Sequence, residues 1–264
     1  AGLHPLHSLA QSIDWGDRLT LDPAGADSFT VRGLPAPADE SNLARRALEA
    51  VRAATECRRA AALTLDKRIP LAAGLGGGSA DAAAALLLAG AHCGLPSAAL
   101  AGLAPSLGAD VPFCLEGGTA WMEGYGERLT PLEPLNGFWL AVVVPPFEVS
   151  TAAAYARWDD LEGPAGPAVD GRDLPPALRP FGPLVNDQVP AARSLAPGLG
   201  DWEADLRRCW GRAVLMSGSG PALFAFFSTG AEAAEAVVAA PGSRAARACL
   251  PVPQGWQVPS GTLP

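Results

Sequence analysis

The segment Pro70-Leu71-Ala72-Ala73-Gly74-Leu75-Gly76-Gly77-Gly78-Ser79-Ala80-Asp81 places four glycines in five positions. Glycine leaves backbone N–H groups unshielded and free to take positive φ. Leu63, Leu65 and Ile69 precede the segment and mark a strand ending at Pro70, while an alanine-rich helix is expected over about 80–91. That helix would turn its N-terminal amides and the positive end of its dipole toward the loop. A strand, a bare glycine loop and a helix N-terminus together cradle phosphate. Gly-Lys-Ser/Thr is absent, so the loop is not of the Walker type. The plainer alternative is a tight strand-to-helix turn, for which one or two glycines would suffice.

Two further stations follow. Gly108-Ala109-Asp110-Val111-Pro112-Phe113 holds a carboxylate among small and apolar residues. Asp110 is there either a general base or metal-organising group, or a cap for the next turn. Met216-Ser217-Gly218-Ser219-Gly220-Pro221 lies between two apolar runs. It either closes over a nucleotide or makes a hairpin.

Composition narrows the field. With 49% apolar and 17% charged residues, the 264-residue chain has the material for a core, so disorder is excluded as a global description. Its 19 basic and 27 acidic residues leave a net charge of −8, without the footprint of a nucleic-acid binder. Lys67 is the only lysine, and chemistry that needs two is closed to this chain. It either approaches the nucleotide from the strand end or is a solvated cation. Five cysteines without a Cys-x-x-Cys pair and three scattered histidines suggest neither a disulfide framework nor a metal cluster. The longest apolar stretch, 82–91, is about half a membrane span. A cytoplasmic location is expected, with no nucleic-acid or membrane partner.

The elements that must position these stations follow from patterning. Two short strands with a break at Pro23-Ala24-Gly25 are expected within 13–32, then capping residues at 39–42 and a helix over 43–56. Beyond the glycine helix come a helix over 97–107, a hairpin over 119–132 and a buried strand over 138–144 stopped by Pro145 and Pro146. The Gly/Pro-dense stretch 160–183 reads as a loop or a boundary between lobes. Helices around 184–195 and 201–209, strands over 213–216 and 223–227, and a helix over 231–240 complete the pattern. No strong pattern follows Leu250.

Taken together, the three glycine-rich stations in this order resemble the small-molecule kinases of the GHMP superfamily. The fit is best to its 4-diphosphocytidyl-2-C-methyl-D-erythritol kinases, over residues 1 to about 240. Glu116-Gly117-Gly118-Thr119-Ala120 and Glu123-Gly124-Tyr125-Gly126-Glu127 match that family and distinguish it from homoserine, mevalonate and galactose kinases. Asn186-Asp187 and 217–220 also fit. The resemblance implies an α+β, two-lobed GHMP kinase fold: a ribosomal protein S5 domain 2-like lobe over 1–145 and a ferredoxin-like lobe over 146–264.

The same resemblance implies phosphorylation of the 2-hydroxyl of the cytidine diphosphate-linked methylerythritol by ATP with Mg2+, by a monomer or homodimer. ATP would lie along residues 70–80, with Asp110 accepting or orienting the acceptor proton. Ser79 would touch a phosphate or the metal, or else cap the helix. His4, Asn186, Asp187 and Gly218 would bind substrate, His4 at the cytosine. No residue is assigned as a dedicated metal ligand. Leu3 and Leu184 stand where stacking aromatics are usual, which predicts weaker base stacking. Alternatives are another GHMP small-molecule kinase, or a truncated nucleotide-binding member with little activity. The chain begins with Ala1 inside the segment the family writes Asp-Gly-Tyr-His. An upstream Lys-x-Asn strand is therefore expected to be missing, and the chain as written to be a poor kinase prone to aggregate.

Overall fold

The computed structural model describes residues 4–240 and 242–257; Leu3, with its expected effect on stacking, lies outside them. By compactness the chain separates into two units whose segments interleave. The first holds 4–69, Gly76–Pro134 and 252–257, and the second holds Pro70–Leu75 and Leu135–Pro251. Both mix strands and helices, so the fold class is α+β.

The first unit runs β1 (Leu6–Gln11), β2 (Arg18–Pro23), β3 (Ser28–Gly33), α1 (Leu43–Thr55), β4 (Ala61–Lys67) and α2 (Gly77–Cys93). It continues through α3 (Ser97–Leu100), α4 (Ala104–Leu107), α5 (Val111–Glu116), β5 (Thr119–Gly124) and β6 (Arg128–Leu132). β4 lies between β2, to which it is antiparallel, and β3, to which it is parallel. Its alternation sends Ala61, Leu63, Leu65 and Lys67 to the buried face. There Leu63 joins Ala47, Leu48 and Val51 of α1 and Ala82, Leu86 and Ala89 of α2 in one core. α1 starts where Asn42 accepts a hydrogen bond from the Ala44 amide at 2.9 Å. α2 is apolar on nearly every side, as a helix covered by neighbours must be.

Several expectations are corrected here. α2 begins at Gly77, not near residue 80, so two of the glycines form its first turn. The helix expected over 97–107 breaks into α3 and α4, because Gly102 and Pro105 are both unfavourable inside a helix. β1 carries no clean alternation and exists because β5 offers it a complete antiparallel register from Leu6–Gly124 to Gln11–Thr119. The tail after residue 250 is also used. Val252 donates to the Ser12 carbonyl at 2.9 Å, and the Trp256 indole donates to the Leu115 carbonyl at 3.0 Å. A Cβ on Gly117 would stand 1.7 Å from the Gly255 nitrogen, so the glycine pair 117–118 is where the tail crosses.

The second unit contains β7 (Trp139–Val144), α6 (Thr151–Asp160), the short pair β8 (Ala168–Val169) and β9 (Leu184–Val185), α7 (Val189–Leu195) and α8 (Gly198–Trp210). It closes with β10 (Leu215–Met216), β11 (Leu223–Phe227), α9 (Gly230–Val238) and β12 (Ala245–Cys249). The sheet order β10-β11-β7-β12, antiparallel throughout, is the strand order of a ferredoxin-like β-α-β-β-α-β unit. Val143, Leu206, Trp210, Leu223 and Phe227 fill its core. β12 has too little apolar alternation to be read from sequence, and its pairing with β7 defines it.

The loop Pro70–Leu75 is seated in this second unit. The Ala222 amide donates to the Ala73 carbonyl at 2.9 Å, and the Ser217 hydroxyl donates to the Gly74 carbonyl at 2.8 Å. Within this unit the Pro70–Leu75 loop and the third glycine station thus hold each other. Gly74 has φ +76°, and a Cβ there would stand 2.5 Å from the Ser217 carbonyl oxygen. Gly74→Ala is therefore expected to cost about 3 kcal/mol of unfolding free energy, from left-handed strain plus a backbone collision. Gly137→Ala, with φ +78° but nothing within 4 Å of the new Cβ, should cost about 1 kcal/mol, the strain alone. Urea unfolding of both variants checks this, and equal losses would contradict a tight seat.

Candidate functional site

α2 opens on Gly76, which takes φ +65° and offers no side-chain cap. Ala80 is the first residue whose amide bonds within the helix, to the Gly76 carbonyl at 2.9 Å. The amides of Gly77, Gly78 and Ser79 are left without a helical acceptor at the positive end of a 17-residue helix. Within the segment 70–81 positive φ is taken by Ala72, Gly74 and Gly76, while Gly77 and Gly78 are helical. Gly77 is required for a different reason. A Cβ there would lie 3.0 Å from Ile69 Cγ2 and 3.4 Å from Lys67 Nζ. Ser79 does not cap the helix; it lies in the first turn, half-buried.

Beneath that turn lies a charge cluster. Lys67 Nζ donates to Asp17 Oδ2 at 2.5 Å and to Asp81 Oδ2 at 2.6 Å, and the three side chains are 1%, 2% and 5% exposed. Lys67 is therefore not a solvated cation. Burial pushes the Asp81 carboxyl up to about 7; Lys67 opposes that shift and the like charge of Asp17 adds to it. Two carboxylates face one ammonium, so a neutral cluster retains one proton. Asp17 has no motif of its own and sits fifty residues from Lys67, so sequence reasoning misses it. The one available signal is a single lysine directly after an apolar strand.

Asp110 precedes α5 but makes no capping hydrogen bond, so the capping alternative fails. Among the described residues no ion pair or hydrogen bond reaches its carboxylate. The residue is open to solvent, yet protein atoms crowd the carboxyl, and that desolvation raises its pKa above the ordinary value. Gly108 brings the second station onto the first: a Cβ there would lie 4.0 Å from the Ser79 hydroxyl. Gly126 in the β5–β6 turn lets that turn pack against the Ala109 carbonyl, 2.8 Å from where its Cβ would be. His4 is half-buried just before β1, whose first residue Leu6 pairs with Gly124 of the same turn. Ser79 and the Gly108–Asp110 segment are thus adjacent within the first unit, and the turn that carries Gly126 packs against that segment.

Asn186, Asp187 and Gly218 belong to the second unit. The Asn186 amide donates to the Met216 and Gly218 carbonyls, each at 2.8 Å, and its oxygen accepts from the Gln188 amide at 2.9 Å. Asp187 accepts from the Gly166 amide at 3.1 Å. Asn186 and Gly218 are brought together, and the first holds the turn that contains the second. Leu184 is half-buried in β9. Among the described residues no group of three or more His, Cys, Asp or Glu side chains could hold a metal. No described helix is long and apolar enough to cross a membrane.

Comparison with known proteins gives the family. Residues 42–118, which span the α2 turn and Asp110, match the family described as GHMP kinases N terminal domain. The chain is 40% identical over 233 residues to a 4-diphosphocytidyl-2-C-methyl-D-erythritol kinase of Pelotomaculum thermopropionicum, covering 84% of this chain and 80% of the relative. A protein of that name from Methylobacterium radiotolerans is 38% identical, covering 98% and 90%. A solved 4-(cytidine 5'-diphospho)-2C-methyl-D-erythritol kinase superposes with a TM-score of 0.76 at 33% identity, over 94% of this chain and 91% of that one. The homoserine kinase of Cytophaga hutchinsonii, with a TM-score of 0.68 at 20% identity over 94% and 90%, shows the shared fold alone.

The charge cluster under α2 has a pH signature. With the Asp81 carboxyl raised to about 7, the native chain binds a proton that the unfolded chain releases above about pH 4. Stability from this group is full at low pH and lost as pH rises toward and through 7, by at most about 1.4 kcal/mol per unit. Asp81→Asn should flatten the slope of unfolding free energy against pH between about 4 and 7. An unchanged slope in that variant would contradict the retained proton.

Proposed function

This chain belongs to the 4-diphosphocytidyl-2-C-methyl-D-erythritol kinase family within the GHMP kinases, and on that premise we propose how its residues carry out the reaction. It is an ATP-dependent kinase of isoprenoid precursor biosynthesis, and its acceptor is the 2-hydroxyl of 4-diphosphocytidyl-2-C-methyl-D-erythritol. The observation that most supports the residue roles is an unpaired carboxylate, Asp110, two residues from a glycine that borders Ser79 in the first turn of α2.

In this reading residues 70–80 take the nucleotide. The amides of Gly77, Gly78 and Ser79, with the Ser79 hydroxyl, bind phosphate oxygens and meet the charge that builds on the transferring group. Asp110 accepts or orients the proton of the acceptor hydroxyl as that oxygen bonds to the γ-phosphorus. The bond to the β-γ bridging oxygen breaks, and ADP leaves. Phosphoryl transfer asks mainly for positioning and charge stabilisation, to which the amides at the start of α2 contribute.

Mg2+ suits this donor set. It needs few protein oxygens when phosphates and water supply the rest, and Asp110 is the unpaired carboxylate that would hold it or its water. When bound it neutralises phosphate charge. His4 is assigned to the cytosine. Asn186 contributes by shaping the turn that carries Gly218, and Asp187 by fixing the neighbouring Gly166 amide. Five free thiols suit a reducing cytoplasm.

Asp110→Asn should lower kcat by about 10²–10⁴-fold, the usual worth of general acid–base help, while leaving ATP binding intact. Because desolvation raises the Asp110 pKa, the wild-type rate should rise with pH along an acid limb displaced upward from that of an unperturbed aspartate. Transfer of the labelled γ-phosphoryl group to the cytidine-linked acceptor, with homoserine and mevalonate as control alcohols, measures both. Near-normal turnover of the Asn variant would overturn the assignment.

A further inference from the structure

We infer that the buried cluster of Asp17, Lys67 and Asp81 is the positioning device of the nucleotide site, fixing where the first turn of α2 stands while touching no substrate. This rests on the reading that the amides at the start of α2 bind phosphate. Lys67, the only lysine in the chain, gives its ammonium to Asp17 at 2.5 Å and to Asp81 at 2.6 Å. The other oxygen of Asp17 accepts the amides of Arg68 at 2.5 Å and Ile69 at 2.9 Å. One charge group therefore joins three segments: the chain entering β2, the end of β4 and the second turn of α2.

The contact geometry leaves little slack. A Cβ on Gly77 would stand 3.4 Å from Lys67 Nζ and 3.0 Å from Ile69 Cγ2. The helix therefore rests on the end of β4 at a distance only glycine permits, and the ion pair to Asp81, four residues on, holds it there. Stability alone does not account for this construction. Buried ion pairs are weak stabilisers, because desolvation offsets attraction, and apolar side chains of similar volume usually serve better. Here the compensation is also incomplete: Asp81 Oδ1 is buried with no hydrogen-bond partner among the described residues. A fixed, directional geometry is what such a cluster provides and an apolar contact does not. Phosphate-binding amides need it, because a misplacement of about 1 Å can cost about 10²-fold in rate.

The test is calorimetric binding of a non-hydrolysable ATP analogue and, separately, of cytidine diphosphate, at a temperature where circular dichroism shows each protein folded. Asp81→Ala cuts the tether and leaves a neutral Asp17–Lys67 pair. It should weaken analogue binding about tenfold and leave cytidine diphosphate binding within about twofold. Asp81→Asn, which keeps an acceptor for Lys67, should recover most of the affinity. If Asp81→Ala does not fold, the charge-free Asp17→Asn/Lys67→Met/Asp81→Leu variant replaces it and should show the same selective loss. Unchanged analogue affinity, or equal loss of both ligands, would overturn the inference. A wild-type protein that binds cytidine diphosphate but not the analogue would instead contradict the nucleotide role of α2.

Discussion

An ammonium group closed off from water between two carboxylates sets the geometry on which the catalytic region depends. Lys67 ends the central strand of its sheet, Asp17 leads into the neighbouring strand, and Asp81 belongs to the helix that follows the glycine loop. Separating any of these segments would strand a charge in an apolar interior, at a cost of several kcal/mol. The strand end and the helix start are consequently held as one piece. Gly77 completes the arrangement by letting the helix backbone approach Ile69 directly.

The chemistry follows from what that piece exposes. A long helix with no side-chain cap presents unsatisfied amides, which favour an anion. Its Ser79 borders Gly108, and two residues later Asp110 offers a carboxylate engaged by neither a cation nor a cap. Lys67 is enclosed by its two carboxylates, so it serves the helix rather than the nucleotide, and the amides that open α2 supply charge stabilisation of their own. The loop ahead of the helix is independently fixed, through Ala73 and Gly74, to the 217–222 turn.

Much of this was legible in the residues. Asn42 and the spacing of Leu43, Ala47, Leu48 and Val51 mark α1. The two turn glycines at 124 and 126 mark the β5–β6 hairpin, and the apolar run into Pro145 marks β7. The glycine stations give the family. What stayed hidden depends on contacts distant in sequence. The glycine run looks uniform, yet Gly74 and Gly76 are there for positive φ, Gly77 for close packing, and Gly117 and Gly118 for a tail crossing more than 130 residues later. Lys67 reads equally as a surface cation or a ligand contact, because the carboxylate that encloses it, Asp17, carries no local signal. β1 and β12 are strands only because β5 and β7 offer them partners.

The central claim is that the amides opening α2 receive the phosphates of the nucleotide. Hydrogen–deuterium exchange across residues 76–81, with and without a non-hydrolysable ATP analogue at saturation, tests it most directly. Amides bonded to phosphate exchange only when the ligand leaves, so those of Gly77, Gly78 and Ser79 should slow by about tenfold or more on binding. Unchanged exchange at these three amides while the analogue is bound would contradict the account.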